Sequence, residues 1–391
     1  MSSLPTRKAT FIGGAKYRRK TYGSNHPLAI PRVSLTHELI QTYGALSDAE
    51  FMEARKAADF ELEWFHTPAY VSAFKRAEVL GRVSNPVRQR HKLGTLENPY
   101  FEQFFTVPAT ATGASIQAAE VVIGGRIGFN PAGGMHHARA DQALGFCYFN
   151  DPVLGIMRLR REGWRVLYVD IDAHHGDGVE AAFLDDPEVF TLSLHMDTGY
   201  AYPFTGGRLE DAGTPASGHT SLNLPLPKDT HDAEYQLLFN AVWQPLLDAF
   251  QPDAVVLQAG TDMIFADPLG KLGLSTQCFL QTAQTILDTS PRHADGTPRL
   301  LVTGGGGYHP LVLARAWAGL WALLSGRELP EQLPLAGTDL LRSVGWDMDE
   351  DEAHFTQLFL SRLDQLEAHS VRPEIYNLID QIPLHPYFRK P

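Results

Sequence analysis

The string DIDAHHGDG, Asp170 to Gly178, follows directly on the apolar run Val166-Leu167-Tyr168-Val169. Three carboxylates and two imidazoles therefore stand within nine residues at the end of what reads as a buried strand. Few architectures tolerate that. In an open sheet of parallel strands the carboxyl ends gather along one edge, where polar groups face a shared crevice instead of the core. Side chains two apart in a strand also share a face, so Asp170, Asp172 and His174 are expected on one side as the strand gives way to its loop.

The rest of the chain fits such a sheet. Apolar β-branched runs at Val189–Leu194, Ala254–Gln258 and Arg299–Thr303 alternate with helical patterns at Glu234–Phe250, Thr276–Ser290 and Pro310–Leu324. That alternation predicts an α/β fold, a central and mostly parallel sheet with helices on both faces. No repeat or long linker divides the 391 residues, so one domain is expected, with a catalytic core over about 20–325 and a C-terminal appendage over 340–391. The appendage reads as an acidic cluster from Asp347 to Glu352, a helix, and an extended Pro-rich end. The glycine-rich loop 196–220 is long enough to expect a functional role.

Composition narrows the function. A formal net charge of −12 argues against a nucleic-acid surface, and the basic clusters Arg18–Lys20 and Arg158–Arg161 read as solvated faces. Two cysteines, Cys147 and Cys278, supply neither a disulfide framework nor a thiolate metal site. There is no apolar run of about 18 residues and no signal-peptide core at the start, so a cytoplasmic protein without a membrane span is expected.

Asp172 and His174 at i and i+2 can both reach one divalent ion, and Asp262 closes a second buried run, VVLQAGTD. Two carboxylates and an imidazole with an open position suit a catalytic zinc, and the oxygen-rich set would also accept Fe(II), Mn(II) or Co(II). A single Asp at a strand end usually caps a helix and a single buried His is usually structural. Several buried carboxylates together cost several kcal/mol each unless a cation compensates them. The turn Gly133-Gly134-Met135-His136-His137 brings two histidines close to a bound ligand, where they can serve as general base and acid if carboxylates orient them; Asp170 and Asp177 are unused. After the run at 299–303, Gly304-Gly305-Gly306-Gly307-Tyr308 lines a cleft with backbone, and no Lys-Ser/Thr pair follows as a phosphate loop would need. Tyr308 can donate to an oxyanion there.

Together the strings GGMHHA, GFCYFND, YVDIDAHHGDGVEAAF, QAGTDMIFADPLGKLGLS and GGGGY resemble the histone deacetylase superfamily, most closely class I members and bacterial acetoin-utilisation deacetylases. The likeness covers about residues 20–325 and implies the arginase/deacetylase-like fold. It implies zinc on Asp172, His174 and Asp262, and general acid/base histidines His136 and His137 oriented by Asp170 and Asp177 respectively. Tyr308 would polarise the acetyl carbonyl, Gly145, Phe146 and Tyr202 would wall an acetyl-lysine tunnel with Leu269 near its rim, and Gly306 would also bind substrate. Arg32 matches an arginine beside an internal acetate channel. A potassium ion is implied at Asp170, Asp172, His174, Ser193 and Leu194; a second one, near Asp186 and Thr220, is left open. Two departures stand out: Glu97 is the nearest match to the Asp that holds substrate backbone at the tunnel mouth, and Tyr202 stands where Phe is common.

The expected activity is hydrolysis of an acetyl-amide, first of acetyl-lysine in a protein, with acetyl-CoA synthetase as a target by analogy. His137 is expected to protonate the departing amine. Three rivals are a small acetylated amine such as an acetylpolyamine, a binuclear manganese ureohydrolase suggested by Asp172-Ala173-His174, and a non-catalytic acetyl-lysine binder. The sequence does not speak to oligomeric state.

Overall fold

Strands and helices alternate along the computed structural model, which describes residues 7–18, 22–23, 26–345, 352–364 and 369–389. The strands are β1 (Ala9–Gly13), β2 (Phe51–Glu53), β3 (Ile127–Asn130), β4 (Val166–Asp170), β5 (Val189–Met196), β6 (Ser221–Leu226), β7 (Ala254–Gln258) and β8 (Leu300–Thr303). They form one sheet in the order β2-β1-β3-β8-β7-β4-β5-β6, with every pairing parallel. The fold is the α/β arrangement expected, and wholly parallel.

Alternation within the strands sorts residues to two helical layers. Leu167 and Val169 pack with helices Arg32–Thr42, Asp232–Phe250, Thr276–Thr289 and Pro310–Ser325. Val166 and Tyr168 face helices Thr106–Ile123 and Asp151–Arg160 on the other side. Burial on both faces explains why β4, β5, β7 and β8 read as continuous apolar runs. The helical patterns fall within two residues of their expected ends.

The connectivity leaves β3 and β4 apart in the sheet, and β8 and β7 later fill the space between them. The carboxyl ends of these four central strands therefore adjoin. Register places Asn130, Thr303, Gln258, Asp170 and Ser193 level with one another across the sheet. All five are buried. A polar row in a sheet interior needs partners, and the loops that follow these strands supply them.

The expected extended, Pro-rich end is instead helical. Pro373 opens the helix Pro373–Gln381, where its missing N–H is no loss, and Ile382–Leu384 continue as a 3-10 turn. The segment packs into the molecule. Asp364 and Arg315 form an ion pair of 2.7 Å with both side chains fully buried, and Tyr387 lies edge-on to Phe190. The acidic residues Asp347–Asp351 and the basic pair Arg19-Lys20 lie outside the described residues. Among the described residues no helix is long and apolar enough to cross a membrane.

Candidate active site

Four loops, each leaving the carboxyl end of a central strand, meet over the polar row. The strand β4 ends at Asp170, so the alternation expected to carry Asp170, Asp172 and His174 onto one face stops there, and the loop divides them. Asp170 stays with the sheet. Its Oδ1 accepts the N–H of Asp172, and its Oδ2 accepts from the Tyr168 hydroxyl at 2.6 Å and lies 2.8 Å from His136 Nδ1. Asp172 and His174 turn toward the loop after β7. There His174 Nδ1 lies 2.8 Å from Asp262 Oδ2 and 3.2 Å from Asp172 Oδ1. His175, next in the string, is buried away from this group, with Nε2 3.0 Å from Glu180.

Asp172, His174 and Asp262 each offer one ligand atom, all within 4.8 Å of one another, and all three residues are buried. Without a cation the charges fit poorly. Burial and the neighbouring charge of Asp172 push the Asp262 carboxyl up to about 7. His174 is raised to about 10: the Asp262 and Asp172 carboxylates together outweigh the burial that opposes its charge. Two buried carboxylates and one imidazole within bonding reach of a single point are a donor set suited to a divalent metal ion. Further contacts brace the ligands. Gly306 N–H and the Gln258 amide donate to Asp172 Oδ2 at 2.6 and 2.8 Å, and Ala173 N–H donates to Asp262 Oδ1 at 2.8 Å. A Cβ on Gly306 would stand 2.0 Å from Asp262 Oδ2, so the glycine is what lets this backbone approach.

Beside the cluster lie two His–Asp pairs. His137 Nδ1 is 2.7 Å from Asp177 Oδ1, whose other oxygen accepts from Arg139 at 2.6 Å. The Nε2 atoms of His136 and His137 are 3.0 Å apart. Burial disfavours charge on His136, yet Asp170 and Asp172 outweigh it and raise the ring to about 9. Burial, joined by the charge of His136, lowers His137 to about 4 against the pull of Asp177. These opposite shifts favour charge on His136 over His137.

A cavity of about 240 Å³ opens onto His137, His174 and Tyr308. Gly145, Phe146, Tyr202, Leu269 and Glu97 all line it. Gly145 has φ +55°, and a Cβ there would come within 2.4 Å of the His137 ring. The Tyr202 ring stands edge-on to His137 with centroids 4.8 Å apart, which ties the glycine-rich loop 196–220 to the site. Glu97 accepts the Gly145 N–H at 3.0 Å. Gly306 sits deeper than these walls, against Asp172. Burial and the charges of Asp262 and Asp172 hold the Tyr308 phenol well above its ordinary range, so it stays a donor.

Behind the turn 133–137 is a smaller cavity of about 80 Å³ lined by Arg32, Met135 and Asp151 among others. Arg32 donates to Gly305 O at 2.6 Å and lies over the Trp317 ring. Of the residues implied for potassium, Ser193 is level with Asp170 in the sheet, with Oγ 2.8 Å from His195 Nδ1, and Leu194 is buried next to it. Thr220 donates to the carbonyl of Asp186 at 3.3 Å. The sequence reading missed Arg139, Gln258 and Tyr168, each of which bonds a carboxylate of the site. Gln258 had a signal, since an amide closing an apolar strand beside Gly-Thr-Asp is as out of place as Asp170.

A sheet of this topology, with an Asp-His-Asp cluster beside paired His–Asp dyads, defines a metal-dependent amidohydrolase class. The chain matches the histone deacetylase domain over residues 26–324, and it belongs to the histone deacetylase family, whose members are deacetylating hydrolases. It is 38% identical to histone deacetylase 8 of Xenopus tropicalis over 309 residues, 78% of this chain and 80% of that one. It is 31% identical to the acetoin utilization protein AcuC of Bacillus subtilis over 332 residues, 84% of this chain and 85% of that one. The crystal structure of an HDAC homolog from Aquifex aeolicus superposes with a TM-score of 0.90 at 38% identity, covering 96% of this chain and all of the other.

Proposed function

We propose that the chain is a zinc-dependent lysine deacetylase that hydrolyses N-ε-acetyl-lysine in a protein to lysine and acetate. The observation that carries this reading is the convergence of the Asp172–His174–Asp262 group, the two His–Asp pairs and Tyr308 at the floor of one narrow cavity. An aromatic-walled tunnel suits the long apolar stem of an acyl-lysine.

A divalent ion on Asp172, His174 and Asp262 would supply Lewis acidity toward the acetyl oxygen and make water acidic enough to attack. The remaining chemistry belongs to the protein. His137, neutral and held through Nδ1 by Asp177, would take the proton from water on Nε2 once that atom turns from His136 toward the cavity, and would then pass it to the departing amine. His136, held charged by Asp170, adds positive potential beside the developing oxyanion. The Tyr308 hydroxyl donates to that oxyanion. Arg32 and the inner cavity would pass acetate out, and a potassium ion at Asp170, Asp172, His174, Ser193 and Leu194 would balance charge under the site.

A cytoplasmic enzyme with acetyl-CoA synthetase among its targets is part of this proposal by analogy, and the likeness to the acetoin utilization protein AcuC supports a bacterial acetoin-utilisation setting. An acetylpolyamine is the second reading, favoured by the Glu97 carboxylate at the cavity wall, which would attract a free ammonium. Rates on an acetyl-lysine peptide and on acetylputrescine, with metal stripped and zinc restored, test the proposal. It predicts that peptide hydrolysis dominates, vanishes with chelator and returns with zinc. Preference for acetylputrescine would transfer the assignment, and inactivity of a folded, zinc-loaded sample on both would overturn it.

A further inference from the structure

Asp267 is a buried carboxylate in neither the metal group nor a histidine pair. Its partners are backbone N–H groups from two loops. One oxygen, Oδ1, accepts from Leu269 at 2.9 Å and from Gly270 at 3.0 Å; the other, Oδ2, accepts from Tyr308 at 2.7 Å. Leu269 is a wall of the acetyl-lysine cavity, and Tyr308 is the hydroxyl donor at its floor.

Tyr308 needs such an anchor. It lies ahead of the helix Pro310–Ser325, whose cap is His309, so no helical carbonyl is placed to accept its N–H. On its other side Gly307 has φ +139°, a conformation that nothing but glycine adopts readily, and Gly306 is pinned to Asp172 and Thr261. The glycine loop is thus held firmly at the metal ligands, and between there and the helix the Asp267 carboxylate holds its backbone at Tyr308.

We propose that Asp267 is the positioning residue for Tyr308, joining the tunnel wall to the hydroxyl donor through one carboxylate. The inference rests on the role given to Tyr308 above. Asp267 touches neither substrate nor the reacting atoms; it sets the height and direction of the phenol, and it transmits the position of the Leu269 loop to that phenol. A misplacement of about 1 Å at such a donor can cost up to about 100-fold in rate.

The test is a double-mutant cycle with Tyr308→Phe, read as kcat and KM on an acetyl-lysine peptide with zinc content measured for each protein. Asp267→Asn keeps one acceptor but turns an amide toward the other loop; Asp267→Glu keeps the charge and displaces it by a methylene, a second variant should the first not fold. Each is expected to lower kcat about 10- to 100-fold in the Tyr308 protein. In the Tyr308→Phe background, where the hydroxyl is gone, the same changes should alter kcat less than about twofold. Equal losses in both backgrounds would mean that Asp267 only holds the fold, and would overturn the inference. So would unchanged kcat in both single variants, or a loss confined to KM. Full activity of Tyr308→Phe alone would overturn the role of Tyr308 itself, a result read before the cycle is closed.

Discussion

The Nε2 atoms of His136 and His137 face each other at 3.0 Å while each Nδ1 is engaged by its own aspartate, Asp170 or Asp177. Two nitrogens in that relation share one proton. The pair therefore carries a single positive charge, and placing it on His136 makes His137, the ring that faces the cavity, the acceptor of the shared proton.

A pH profile follows from those directions. His137, lowered to about 4, is neutral and basic above that value; His136, raised to about 9, keeps its charge below it. Activity should fall on the acid side as His137 gains a proton and on the alkaline side as His136 loses one. The expected kcat/KM profile, measured on one peptide across pH at saturating zinc, is a plateau between an acid and an alkaline limb, the alkaline one shifted below about 9 because the bound ion offsets the Asp172 charge. A rise continuing past pH 9 would contradict a charged His136.

Replacing Tyr308 by Phe removes one hydroxyl from the floor of the cavity. A fall of about 10²- to 10³-fold in kcat is expected, with fold and metal content retained. Stopped assays together with metal analysis check both halves of the statement.

Gly145→Ala would set a methyl group 2.4 Å from the His137 ring at a backbone φ of +55°. The left-handed conformation costs about 1–2 kcal/mol for a residue with a Cβ. Displacement of the ring should lower kcat by about 10-fold or more. Thermal unfolding measures the first effect, and turnover the second.

The Arg315–Asp364 pair is a buried test of how the C-terminal segment is held. Asp364→Ala leaves the guanidinium buried without its partner carboxylate and also removes the acceptor for Thr276 N–H. A loss of about 3–5 kcal/mol is expected in chemical denaturation. A change of less than about 1 kcal/mol would mean that the segment contributes little to the stability of the core.

Metal stoichiometry separates the deacetylase reading from a binuclear one. One group of metal-ligating side chains gathers among the described residues, so one divalent ion per chain is expected by elemental analysis of the zinc-loaded protein. Two would favour the ureohydrolase alternative.

Asp172, His174, Asp262, His136, His137 and Tyr308 could all be named from the chain because each stands out locally: polar residues closing an apolar strand, paired histidines after glycines, a tyrosine after four glycines. A mostly parallel sheet is legible for a related reason, since strands buried on both faces read as unbroken apolar runs; that it is wholly parallel comes from the tertiary structure. The strands β1, β2, β3 and β6 are not marked in the same way, since none of them is a long unbroken aliphatic run: Gly, Thr, Asn, Glu or Pro interrupts each. The helical C-terminus also escaped: its prolines read as extended chain, though Pro373 sits at a helix start where proline is favoured.

Local pattern thus marked the candidate residues of the site, but not how they are shared out. Only the crossing of β3, β8, β7 and β4 brings four loops together, and only the end of β4 at Asp170 sends that carboxylate to His136 while Asp172 joins the metal group. Arg139 on Asp177, Gln258 on Asp172 and Asp267 under Tyr308 are contacts between segments 38 to 86 residues apart. Nothing in a local stretch distinguishes them from an ordinary surface arginine, a strand amide or a turn aspartate. A hydrogen bond is set by where two segments meet, and that meeting is decided by the packing of the whole sheet.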